Sequence, residues 1–280
     1  MTKQIAPAWF NEEYENDDTP SRVVAQRYRA CIFEDDGEAG LGLIHYRAGE
    51  AEFELGRGYC LSESIGDRMT GADILAQLGG PDKAFLEETV SILTALLSDS
   101  SNMVVYCAAV GLGHRNVSSA IPALLRHLRN PDHLVRDGVV FGLSCHEDAD
   151  AIAGLIELAT DEDRDVKNWA VFGLGTQVDW DSEPLREALR VAVMDPDHEI
   201  RGEALLGLAR RGEPGIVEKL LHEWRDDDIS SLSLEAAEAT KDVRLLERLI
   251  HFKKIFDLQD DPYFAGHLDD AIRACSPEGA

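Results

Sequence analysis

Between residues 103 and 208 one pattern of residues comes round four times. A branched apolar residue (Val104, Val135, Val166, Ile200) is followed seven or eight positions later by a Gly-Leu pair at Gly111-Leu112, Gly142-Leu143, Gly173-Leu174 and Gly207-Leu208. The glycines recur at steps of 31, 31 and 34 residues. A period of that length belongs to stacked helical hairpins, in which each unit covers the apolar face of its neighbour, and not to an enzyme folded around one compact core.

Each anchor segment reads as an amphipathic helix. Val135, Val139 and Leu143, Val166, Ala170 and Leu174, and Ile200, Ala204 and Leu208 all fall on one stripe at i, i+4, i+8. The recurring glycine costs helix stability, about 1 kcal/mol against Ala, so its return at one register implies that the next helix approaches closely there. Asp132, Asp163 and Asp197 stand before the helices as expected N-caps, four residues ahead of Arg136, Lys167 and Arg201. Second helices are predicted over 117–128, 149–159, 184–193 and 214–224, the last two opened by Pro184 and Pro214.

Weaker copies extend the array in both directions. Upstream, 69–78 pairs with 85–97 behind a capping-box spacing at Ser64 to Asp67, and 38–47 pairs with 50–61. Downstream, 232–239 and 243–252 form a degenerate hairpin and 263–275 a closing helix, about six hairpins in all. A small β-hairpin around Asp35-Asp36-Gly37, flanked by Cys31-Ile32-Phe33 and Leu41 to Ile44, is the alternative near the start. Residues 1–19 are expected to form a flexible acidic arm, with Trp9 and Phe10 folding back or meeting a partner. The domain expectation is therefore an arm over 1–19 and a single all-α solenoid over 20–280, clearest over 103–225.

The frame Asp-x-x-Val-Arg, apolar helix, Gly-Leu, second helix is best kept in 131–136, 163–170 and 196–204. It resembles HEAT-like repeats of the short bacterial type, the type first associated with phycobilisome lyases, over roughly 60–250. The resemblance implies a curved α-solenoid with one helix of each pair lining a concave face. Proteins built this way include scaffolds, chromophore lyases, some DNA-repair enzymes and immunity proteins that neutralise toxins.

Charge narrows the function. The chain carries 53 Asp and Glu against 27 Lys and Arg, a net charge of −26. Such a molecule repels phosphate backbones and anionic lipid, so free nucleic acid and membranes are poor partners and a basic protein is a good one. Five scattered cysteines in apolar settings, and a start without the apolar run of a signal peptide, point to a reducing, cytoplasmic location.

Catalytic signatures are missing: no HExxH, CxxC, Walker loop or GxSxG occurs, and the glycines at 40–42 and 173–175 lack the third member of a dinucleotide loop. His127 with His133, or Cys145 with His146 and Asp148, lack metal-ligand spacing, so no metal or cofactor is expected. Candidate partner-binding residues are Trp169, Trp180 and Trp224 as aromatic anchors, Glu187, Arg190, Glu218 and His222 on second helices off the Leu stripe, and the acidic turn Asp226, Asp227, Asp228. Similar acidic turns at 161–163 and 257–261 suggest a rim along one edge. The resulting expectation is a non-enzymatic binding module, in its most concrete form an immunity protein or inhibitor of a basic bacterial toxin. A generic scaffold, a bilin lyase and a DNA glycosylase on the same repeats are the alternatives.

Overall fold

A computed structural model describes residues 14–32, 40–144, 146–226, 229–256 and 261–277. Among them every regular element is helical, sixteen α-helices with short 3₁₀ and π turns. The fold is an all-α solenoid, as the repeat period requires. The chain divides into two compact units, residues 1–154 and 155–280.

In the first unit the helices are α1 (Ser21–Cys31), α2 (Gly42–Arg47), α3 (Glu50–Cys60), α4 (Ile65–Ala76), α5 (Leu86–Leu96), α6 (Asn102–Arg115), α7 (Ile121–Leu125), α8 (His133–Leu143) and the first turns of α9 (Ala149–Leu158). Helix α4 lies between α3 and α6, and α6 packs along α8. Val104, Ala108 and Leu112 on α6, and Val135, Val139 and Leu143 on α8, are fully buried, so the stripe read from the sequence is the core. The glycines sit where the helices meet. A Cβ on Gly142 would lie 3.0 Å from Ala109 O, and one on Gly113 2.9 Å from Phe141 O.

The second unit contains α10 (Arg164–Phe172), which runs into a π turn at Gly173–Gln177, then α11 (Glu183–Ala192), α12 (His198–Arg210), α13 (Ile216–Glu223), α14 (Ser231–Thr240), α15 (Leu246–Ile255) and α16 (Pro262–Cys275). Helix α12 packs against α10 and α14, and α14 against α16. Gly207 and Gly175 form the closest approach, since a Cβ on Gly207 would lie 2.5 Å from Gly175 Cα.

The turns repeat as faithfully as the helices. The amides of Ser101, Asp132, Asp163 and Asp197 donate to the side-chain oxygens of Asp99, Asn130, Asp161 and Asp195 at 2.8–2.9 Å. Asp132, Asp163 and Asp197 then cap α8, α10 and α12 by accepting from amides in the first turn, as expected. Side chains at the start of one repeat reach the turn of the next: Arg68 to Asp99 at 2.7 Å, Asn102 to Asp132 at 2.6 Å, Arg164 to Asp197 at 2.9 Å and Lys167 to Asp195 at 3.1 Å.

Two arginines, Arg115 and Arg211, occupy one register, four residues beyond their Gly-Leu glycine, and close the preceding helix of the stack. The Arg115 guanidinium donates to Leu78 O at 2.8 Å and to Ala84 O, and Arg211 donates to the carbonyls of Leu174, Gly175, Val178 and Trp180 at 2.8–3.2 Å. Burial lowers the pKa of both, Arg115 to about 10. The carbonyl dipoles at the end of the preceding helix suit that charge.

Several expectations need correction. Ser64 does not form a capping box: its hydroxyl accepts from Arg29 at 3.1 Å, while Asp67 takes Arg29 Nε and Ser62 Oγ, both at 2.8 Å. Helix α13 opens at Ile216 behind a left-handed Gly215 (φ 83°), two residues later than Pro214 implied. Helix α1 is an additional element, and with α2 it places both described flanks of the alternative β-hairpin in helices; Asp35, Asp36 and Gly37 lie outside the described residues. The described end of the expected arm is tied down, because Arg47 donates to Thr19 O at 2.7 Å and Asp17 O at 2.6 Å. Trp9 and Phe10 lie outside the described residues.

Candidate functional site

The expected site residues of the second unit separate into four environments. Helix α11 buries Leu185, Leu189 and Ala192, and the same helical period leaves Val191 58% exposed and Met194, just beyond it, 76% exposed. Among the described residues nothing covers these apolar side chains. Met194 lines a groove of about 540 Å³ with Arg201, Glu218, Lys219, His222 and Glu223. Glu218 and His222 therefore do meet in one depression, with an apolar floor and a mixed polar edge. A second groove of about 510 Å³ follows α15, lined by Val243, Leu246, Glu247, Ile250, His251 and Lys254.

Glu187 and Arg190 belong to an ion-pair network. Arg190 donates to Glu213 at 2.7 Å, to Glu183 at 2.6 Å and to Glu187 at 3.0 Å. Arg186 joins it through Asp181 at 2.7 Å and Glu213 at 2.9 Å, and the two guanidiniums hold the Glu213 carboxyl below its ordinary pKa. Arg164, Arg201 and Arg244 are likewise committed: Arg164 to Asp165, Asp197 and Glu199, Arg201 to Glu223, and Arg244 to Glu218 and Asp242. The Arg164 guanidinium brings the Asp197 pKa down to about 2.

The tryptophans divide. Trp169 is 51% exposed, edge-on to Phe172 with ring centres 5.6 Å apart, and lines neither groove. Trp180 is half-buried in a loop and contributes its carbonyl to Arg211. Trp224 is not a surface anchor: it is fully buried, packs edge-on to Phe252 at 5.5 Å, and its Nε1 donates to Ser233 Oγ at 3.0 Å. Its place at a helix end suggested a surface, but Ile216, Leu220 and Trp224 are all buried at i, i+4, i+8, so the indole continues the buried stripe of α13.

Asp226 ends that 3₁₀ turn, and Asp227 and Asp228 lie outside the described residues, as do residues 257–260. Asp161, Asp163 and Asp261 accept from backbone amides, so these members of the expected rim serve as turn and cap groups.

A second constellation in the first unit escaped the sequence reading. Tyr28 OH donates to Asp73 Oδ2 at 2.8 Å, the buried Cys107 lies beside Asp73, and His45 Nε2 lies 3.1 Å from Asp73 O. Burial raises the Asp73 carboxyl above the usual range and lowers His45 to about 4. A lone Asp inside the apolar run of α4, between Ala72 and Ile74, was the available signal. Among the described residues no group of three or more His, Cys, Asp or Glu has metal-site geometry.

Stacked hairpins with glycine contacts and capped acidic turns define a helical-hairpin repeat protein. Residues 152–241 match the HEAT repeats family. The X-ray structure of YibA from Escherichia coli is similar at a TM-score of 0.63 and 22% identity, covering 98% of this chain and 99% of that one. The crystal structure of an engineered protein gives a TM-score of 0.49 and 17% identity, covering 95% of this chain and 77% of that one. No curated protein matches the sequence. Residues 152–241 thus carry HEAT repeats, and the chain as a whole shares a helical-repeat fold with YibA; HEAT repeats commonly serve as protein-binding or scaffold modules.

Proposed function

We propose that this chain binds a basic protein through the Met194 groove, and that in its most concrete form it is an inhibitor or immunity protein covering the cationic surface of a toxin. The observation that supports this is the disposition of charge. Arg164, Arg186, Arg190, Arg201 and Arg244 are all engaged in internal pairs, so the acidic excess of the chain, net −26, dominates what an approaching molecule meets. Such a field steers a cationic partner and repels polyanions. The exposed Val191 and Met194 supply the apolar patch on which a docked partner would gain its residence time.

Binding rather than catalysis fits the buried thiols, since burial raises Cys60 to about 12 and Cys275 to about 11 and leaves neither as a nucleophile at neutral pH. The test is capture from the native host by wild type and by Met194→Glu and Glu218→Lys variants. The reading expects one strongly basic protein, released by salt and lost with either variant. Equal capture by the variants, or recovery of nucleic acid or a covalent bilin alone, would count against it; several partners insensitive to salt would favour a scaffold.

A further inference from the structure

The constellation around Asp73 borders a cavity of about 320 Å³, lined among others by Tyr28, Leu41, His45, Val110 and His114. Water occupies about 30 Å³ in the liquid, so the space admits a ligand of several heavy atoms. Tyr28 satisfies the Asp73 carboxylate as a neutral donor, with the Cys107 thiol beside it, and among the described residues no ion pair joins it to a cationic side chain. A desolvated carboxylate without a counter-charge is costly, and the fold leaves a cavity beside it instead of a lysine or arginine.

The rest of the lining has the same preference. His45 Nε2 faces a carbonyl oxygen and so carries the proton in the neutral ring, which leaves Nδ1 as an acceptor. Leu41 and Val110 add apolar wall for an alkyl stem. The lining therefore offers acceptors, one latent negative charge and a greasy flank.

We propose that this cavity is a binding site for a single ammonium or guanidinium group on an alkyl stem, with the Asp73 carboxylate as its counter-charge. The group belongs either to a free small amine or to a Lys or Arg side chain presented by a partner. The proposal is independent of the reading of the Met194 groove: each stands if the other fails.

The experiment is calorimetric titration of the full chain with agmatine and with Nα-acetyl-lysine amide, using n-butanol and butyrate as neutral and anionic controls. One or both cations should bind at a stoichiometry of one. Affinity should fall at least about tenfold in Asp73→Asn and less in Tyr28→Phe. Agmatine alone binding identifies a free amine; binding of the lysine amide identifies a partner's side chain. If Asp73→Asn does not fold, the His45 imidazole NMR signals of the wild type serve instead and should move with the cations but not with butanol. No saturable binding of either cation, equal affinity of a folded Asp73→Asn, or butanol binding as tightly would overturn the proposal.

Discussion

Trp224 Nε1 donates to Ser233 Oγ at 3.0 Å, and the same hydroxyl donates to Ser230 O at 2.8 Å, so one serine couples the end of α13 to the start of α14. With Phe252 against its ring, the indole is the largest fully buried side chain of the second unit. Trp224→Ala should therefore cost about 3–5 kcal/mol in urea unfolding, whereas Trp169→Ala at an exposed site should cost under about 1 kcal/mol. Comparable losses for the two would contradict the burial of Trp224.

Gly207→Ala and Gly266→Ala should have opposite signs. At Gly207 the new methyl meets the Gly175 backbone at 2.5 Å, so α12 and the π turn that follows α10 must separate, at about 1–3 kcal/mol. At Gly266, on the exposed face of α16, nothing lies within 4 Å, and the better helix propensity of Ala should stabilise by about 0.5–1 kcal/mol. Thermal melts of both variants check the pair.

Arg211→Lys keeps the charge but cannot reach four carbonyl residues from one planar fork. A loss of about 2 kcal/mol, with faster amide exchange at Val178 to Trp180, is expected. Unchanged exchange there would show that the fork does not hold the loop.

Acid should weaken the first unit through His45. Its folded pKa of about 4 lies below the ordinary 6.5, so the unfolded chain binds the proton first. This contribution is complete above about 6.5 and is lost as pH falls towards about 4. Asp73 has the reverse sign: its raised pKa makes the folded chain hold the proton longer, so its contribution declines as pH climbs above the usual carboxylate range. Denaturant midpoints against pH for His45→Gln, which retains a donor towards Asp73 O, should show a shallower slope between about pH 6.5 and 4 than the wild type.

Thiol labelling gives a further check. Cys60, Cys107 and Cys275 are buried and have raised pKa values, so they should react with a disulfide reagent only at the rate of unfolding, while half-buried Cys31 reacts sooner. Fast labelling of Cys107 in the folded chain would show that the Asp73 cluster opens.

The fold was legible because its signals are periodic. The stripe through Val135, Val139 and Leu143, the close-packed glycines and the aspartate caps each state a local rule several times, and repetition removes the ambiguity of a single instance. The site was legible only where it obeys the same period. Glu218 and His222 fall into one groove because they are off the buried stripe, and Val191 and Met194 could have been found by extending that argument to α11. Trp224 is the opposite case: it falls at i+8 from Ile216 on the buried stripe of α13, so the same period, carried one turn past the helix end, places it in the core. The Asp73 cluster joins residues 28, 45, 73 and 107 from four helices, and no local pattern links positions that only packing brings together.

The ladder of turn bonds bears on how such a chain changes over evolutionary time. Each link runs from a side chain at the start of one repeat to an aspartate in the turn of the next, as Asn102 does to Asp132 and Arg164 to Asp197. Donor and acceptor thus sit at opposite edges of the same module. A duplication or deletion of one whole repeat joins a donor edge to an acceptor edge again, with no orphaned carboxylate at the seam. The number of repeats is thereby released from the chemistry that holds them, and the array can be lengthened without redesigning a single joint.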